Sequence, residues 1–144
     1  MGLLRAVHVL GAVLLVGNVI VSGVWATLAM RPAAAVPPRT VARFVVVTDW
    51  CFTVPGGALL LGSGLAMVRH AGWPLWGTPF VRVGLLALLV SLVAWLLVLV
   101  PLQSRWVRAP TEAEAYRLFR WWSVVGWAAT VPLVIGLWVM ATHR

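Results

Sequence analysis

The sequence predicts an all-α integral membrane protein, an antiparallel bundle of four transmembrane helices. Three observations predict it. Of 144 residues, 62% are hydrophobic and only 10% are charged. Mean hydropathy is +1.01, too apolar to give one small domain the polar surface that solubility needs. Finally, residues 6–30, 44–68, 83–104 and 121–142 carry no charge except Asp49. Each run exceeds the ~20 residues that take a helix across a ~30 Å hydrocarbon core.

In lipid the backbone must satisfy its own hydrogen bonds, so such runs are helices. Transmembrane strands would alternate in polarity over ~9–11 residues, and these runs are continuous. The expected helices cover about 4–30, 42–69, 80–104 and 116–142. The first is too long for the ~7–15-residue apolar core of a cleaved signal peptide.

The connections are short. Residues 31–40 hold Pro37-Pro38, expected to stop a helix. Residues 69–79 hold Gly72-Trp73-Pro74 and Gly77, which is turn chemistry. In 105–116, Thr111 is placed to cap a helical turn with Glu114 three residues on.

The formal net charge is +8, but this is not a nucleic-acid surface. The basic residues, all Arg, lie in the short segments between apolar runs. With the richness in Ala, Val and Trp, an all-Arg basic set fits a GC-rich bacterial genome. Arg31, Arg39, Arg43, Arg105, Arg108, Arg117 and Arg120 lie at one end of the bundle; Arg5, Arg69, Arg82 and Arg144 lie at the other. The excess puts the first and third loops in the cytoplasm and both termini outside, in a bacterial inner membrane. Trp25, Trp106, Trp121 and Trp122 at the inner interface, and Trp73, Trp76 and Trp138 at the outer, are expected as belt anchors.

Cys51 is alone, so a disulfide within the chain and a CxxC motif are excluded. A phosphate-binding Gly-rich loop, an HExxH zinc motif and a setting for Ser/His/Asp chemistry are absent. Catalytic residues are unassigned.

Polar residues form two stripes. His8, Gly11, Leu15, Asn18, Ser22 and Trp25 follow steps of three and four along the first helix. Asp49, Thr53, Gly56, Leu60, Ser63, Met67 and His70 do so along the second. Small and polar residues are what membrane helices place at their contacts, so the stripes are expected to face each other. Pro55 and Pro132 each remove a donor and free a carbonyl, at Cys51 and Ala128. Pro55-Gly56-Gly57 is expected to kink the helix and to allow a close approach or room for a bound molecule.

Asp49 is the lone acid in a predicted span. An ionised carboxylate there costs on the order of 2.5–3.5 kcal/mol on insertion scales, so it needs a partner. Arg120 is the first expected partner and Arg31 the second, with Asn18 and Thr53 alongside. His8, His70 and His143 are all expected at the outer face. Met67 and Met140 each precede a His by three residues. Imidazole and thioether suit haem iron or copper, so His8, Met67 and His70 form a candidate site for haem b or copper.

The run LRAVHVLGAVLLVGN over residues 4–18, followed by Thr48-Asp49-Trp50-Cys51-Phe52-Thr53-Val54-Pro55-Gly56, resembles a bacterial family of predicted integral membrane proteins. This is domain-of-unknown-function family 2269. The similarity continues through Val100-Pro101-Leu102-Gln103 and Tyr116 to Arg120, and ends at Pro132 and Met140. The resemblance implies a four-helix membrane protein. It marks His8, Asn18, Asp49, Trp50, Phe52, Thr53, Pro55, Gly56, Pro101 and Gln103 as positions matching the family pattern. His70 and His143 fall outside that pattern. The first helix alone is also similar to copper-resistance D-type membrane proteins and to small haem-carrying four-helix protoporphyrinogen oxidases.

Three function classes follow. One is a small redox-associated membrane protein binding haem, copper or quinone. Another is an accessory or assembly subunit held in the bilayer with other membrane subunits or as a homo-oligomer. The third is a transporter using Asp49, disfavoured because the sequence has no broken-helix repeat.

Overall fold

The computed structural model describes residues 1–142. Four long helices account for nearly all of them: α1 (Gly2–Ala29), α2 (Pro38–Ala71), α3 (Pro79–Val107) and α4 (Glu112–Thr142). Each is long and apolar enough to cross a membrane. Consecutive helices run antiparallel, joined by short loops. Leu3, Val13, Val21, Leu97, Val124 and Trp138 are among the apolar side chains exposed on the outside, as a lipid-facing surface requires.

Pro37-Pro38 does not stop a helix but opens one. Pro38 is the first residue of α2, where its missing N–H would have no helical partner anyway. Thr111 caps α4 itself: its Oγ1 accepts the backbone N–H of Glu114 at 3.2 Å. At the far end of α2, Gly72 adopts φ +67°. The Trp73 N–H then reaches back to the Val68 carbonyl at 3.1 Å, a closure that favours glycine.

Two helices contain a π-helical turn. In α2 it is Asp49–Thr53, and the Val54 N–H bonds the Asp49 carbonyl. In α3 it is Trp95–Leu99, and the Val100 N–H bonds the Trp95 carbonyl. A proline stands two residues beyond each turn, Pro55 and Pro101. A π turn re-spaces backbone bonds just where a proline withholds its donor.

The bundle is tight at its Arg-rich end. There Ala26, Met30, Val41, Val45, Trp106 and Leu118, from all four helices, pack into one core. Trp106 and Trp122 belong to it, at 0% and 7% exposure. They are therefore not belt anchors. The small residues Ala109 and Ala115 beside them leave room for the indoles to turn inward, where they pack with Phe119. Trp25, Trp73, Trp76, Trp121 and Trp138 do lie exposed. Arg39, in the first turn of α2, ties that helix to the third loop by donating to the Pro110 carbonyl at 3.0 Å.

Toward the other end the helices hold as two pairs. α1 packs on α2 through Gly11 and Gly56. A Cβ on Gly11 would sit 2.6 Å from the Leu60 nitrogen, and one on Gly56 would sit 2.6 Å from the Leu15 nitrogen. α3 packs on α4, and Ser91 donates across to the Ala129 carbonyl at 2.7 Å. Beyond their π turns α2 and α3 have little contact with each other. This parting opens the bundle sideways between them. His143 and Arg144 lie outside the described residues, and with them the third outer histidine and one arginine of the charge comparison.

Candidate functional site

The π turns set the site. Asp49 and Trp95 are the first residues of their turns, and both project into the centre of the bundle. Asp49 is 6% exposed and Gln103 is 4% exposed. Oδ1 of Asp49 accepts from Thr53 Oγ1 at 2.9 Å and from Asn18 Nδ2 at 3.3 Å. Oδ2 accepts from Gln103 Nε2 at 2.6 Å and from Trp95 Nε1 at 3.1 Å. Asn18 Nδ2 also donates to Thr53 Oγ1 at 2.9 Å. Three helices thus supply neutral donors to both carboxylate oxygens, filling about four acceptor positions.

The expected ion pair between Asp49 and Arg120, or Arg31, is not formed. Both arginines are exposed. Among the described residues the salt bridge present is Arg117 with Glu114, at 3.6 Å. Donors from neutral side chains already occupy the carboxylate, and arginines near a helix end can extend to the head-group region. The structure does bring Asn18, Asp49 and Thr53 together.

The histidine stripe runs differently from a ligand set. His8 Nδ1 lies 3.1 Å from Ser63 Oγ, whose hydroxyl donates to the Leu59 carbonyl. His8 also covers Gly64. His70 is seven residues beyond Ser63 on α2, roughly 10 Å further along the helix, and is exposed. Met67 is half-buried one turn beyond Ser63. The histidine bonds the serine rather than either of them. Among the described residues there is no group of three or more His, Cys, Asp or Glu side chains placed to hold a metal.

Two internal spaces flank the Asp49 cluster. One is a cleft of about 270 Å³ walled by all four helices, on the side where α2 and α3 part. Its wall includes Leu61, Leu88, Leu92 and Leu133, with Gly57 and Ala58 leaving its α2 side open. Thr53 and Trp95, both bonded to Asp49, lie at its inner end. The other is a chamber of about 40 Å³ bordered by Asp49 itself, Ser22, Gln103 and Trp122. Neither wall carries His, Cys or Met. These spaces therefore offer haem iron or copper none of its usual nitrogen or sulfur ligands, and a haem or copper site does not fit them.

Residues 2–144 match the family described as "Predicted integral membrane protein (DUF2269)". The chain belongs to the DUF2269 family. No curated protein and no solved structure matches it. Within this DUF2269 chain Asn18, Asp49, Thr53 and Gln103, which the sequence resemblance singled out, form one hydrogen-bonded cluster. Sequence reasoning missed Trp95 as a member, because an indole in an apolar run reads as packing. A signal was present: Trp95 stands six residues before Pro101, as Asp49 stands six before Pro55.

Proposed function

We propose that this protein binds a lipophilic small molecule of the quinone class inside the membrane, within the redox-associated reading of the sequence. The observation that carries the proposal is the cleft between α2 and α3. It is almost wholly apolar, yet ends on Thr53 and Trp95, which are backed by the Asp49 carboxylate. Its volume, about 270 Å³, lies close to the lower bound of ~300 Å³ for small-molecule pockets. A lateral mouth lets a hydrocarbon tail continue into the bilayer while a ring fills the cleft. A hydroxyl on that ring can then donate to the remaining lone pair of Thr53 Oγ1, whose own hydrogen, like that of the Trp95 indole, goes to Asp49.

Thr53 and Trp95 are the head-group residues in this reading, held in place by Asn18, Asp49 and Gln103. In the same reading the Arg excess favours the Arg-rich end facing the cytoplasm of a bacterial inner membrane, with both termini outside. The test is chemical. Protein purified in native-lipid particles is extracted with organic solvent, and the extract is analysed by mass spectrometry. A quinone or quinol near one per chain is expected. A Gly57→Leu variant should retain at least about tenfold less, a loss of about 1.4 kcal/mol in binding. Bulk phospholipid alone in both samples would overturn the proposal and favour an accessory or assembly subunit.

A further inference from the structure

The polar side chains in the wall of the apolar cleft are Thr53, Ser91, Trp95 and Thr130. Each has a single polar hydrogen, and each spends it inside the protein. Thr53 Oγ1 donates to Asp49 Oδ1 at 2.9 Å, and Trp95 Nε1 to Asp49 Oδ2 at 3.1 Å. Ser91 Oγ donates to the Ala129 carbonyl at 2.7 Å, and Thr130 Oγ1 to the Gly126 carbonyl at 2.8 Å. The backbone amides of the wall lie inside helices, where N–H groups bond back along the chain. The cleft therefore has no hydrogen to offer a ligand.

What remains is acceptor capacity. A hydroxyl oxygen has two lone pairs. On Thr53 one of them takes a hydrogen from Asn18 Nδ2 at 2.9 Å, and the other is open. We propose that the cleft discriminates between the two forms of its ligand and selects the reduced one, a quinol, over the matching quinone. This rests on the quinone-class reading of the cleft.

The two forms have nearly the same shape, so packing against Leu61, Leu88, Leu92 and Leu133 does not tell them apart. Hydrogen bonding does. A quinol O–H donates to the open lone pair of Thr53 and leaves the bonds from Asn18 to Thr53 and from Thr53 to Asp49 intact. A quinone carbonyl only accepts, and it meets an oxygen lone pair instead of a hydrogen. To gain a bond it must draw the Thr53 or Trp95 hydrogen off the buried Asp49 carboxylate. Stripping a donor from a buried charged group is costly. Asp49 thus sets the preference by holding both hydrogens at the inner end of the cleft.

The test compares two ligands on one folded protein. The full chain in lipid nanodiscs is titrated without oxygen, separately, with a radiolabelled short-tailed benzoquinol and with the matching benzoquinone, and binding to empty nanodiscs is subtracted. The quinol is expected to bind about tenfold more tightly, the scale of one added hydrogen bond. Thr53→Val removes the open acceptor and should bring the ratio of affinities to about one. Thr53→Ser keeps the oxygen and should retain the preference. Equal affinities in the unsubstituted protein, or tighter binding of the quinone, would overturn the inference while the quinone-class site stands. Binding of neither form removes both. Gly57→Leu should abolish binding of both forms, and a preference that survives it arises outside the cleft and overturns the inference. Should Thr53→Val fail to fold, the two affinities of the unsubstituted protein and of Thr53→Ser decide.

Discussion

The indole N–H of Trp95 donates to Oδ2 of Asp49 at 3.1 Å, and the two residues open the two π turns of the bundle. This contact joins α2 to α3 at the level where their halves away from the Arg-rich end begin to part. Trp95→Phe keeps most of the ring and removes the donor. It should destabilise the protein by about 1.5–3 kcal/mol, the usual range for a hydrogen bond to a charged group. Chemical denaturation in detergent, followed by loss of helical circular dichroism, measures it.

Asp49→Asn should cost more than any single arginine substitution. An amide turns an NH2 toward donors that previously met a carboxylate oxygen. Each stranded donor costs about 1–3 kcal/mol. Arg120→Gln and Arg31→Gln should stay within about 0.5 kcal/mol of the unsubstituted protein, as exposed substitutions do. A large loss for Arg120→Gln, with Asp49→Asn tolerated, would restore the ion pair and contradict a carboxylate held by neutral donors.

Neighbouring glycines should behave oppositely. A Cβ on Gly56 would meet Leu15 backbone at 2.6 Å, whereas one on Gly57 meets nothing within 4 Å. Gly56→Leu should separate α1 from α2 and lower stability by about 1–3 kcal/mol or more. Gly57→Ala should be neutral or stabilising, by up to about 1 kcal/mol, because glycine is a poor residue inside a helix. Thermal melts of both variants in one detergent check the contrast.

The orientation prediction is independent of the site. A C-terminal reporter active only in the cytoplasm should be silent, and the same reporter inserted in the 31–40 loop should be active. The Arg excess at that end is the physical basis. The reverse pattern would turn the bundle over without altering its internal geometry.

The fold was legible because lipid leaves a chain few options. A long apolar run must be a helix, and the periodic polar stripes mark its contacts. The α1 stripe indeed meets α2 along its length: His8 at Ser63, Gly11 at Leu60, Asn18 at Thr53 and Trp25 at Phe44. Asp49 stood out because it is the lone acid in a span. Its partners did not, for a physical reason. A carboxylate can be satisfied by a cation or by several neutral donors, and sequence does not say which. The arginines drew attention by charge, while Trp95 and Gln103 were hidden in or beside an apolar run. The cleft was legible only as the chance that Gly56-Gly57 makes room. That Gly56 closes a contact while Gly57 faces space depends on helix rotation across a π turn.

The central claim is that the α2–α3 cleft holds a quinone-class molecule with its ring against Thr53 and Trp95. The most direct measurement is photolabelling of the membrane-embedded protein with a photoreactive quinone, followed by peptide mapping. The account predicts labels on the cleft wall, around Ala58–Leu61 of α2 and Leu88–Trp95 of α3. Excess natural quinone should compete them away, and Gly57→Leu should abolish them. Labels confined to the outer, lipid-facing residues such as Val13, Val124 and Trp138, and indifferent to both competitor and Gly57→Leu, would contradict it.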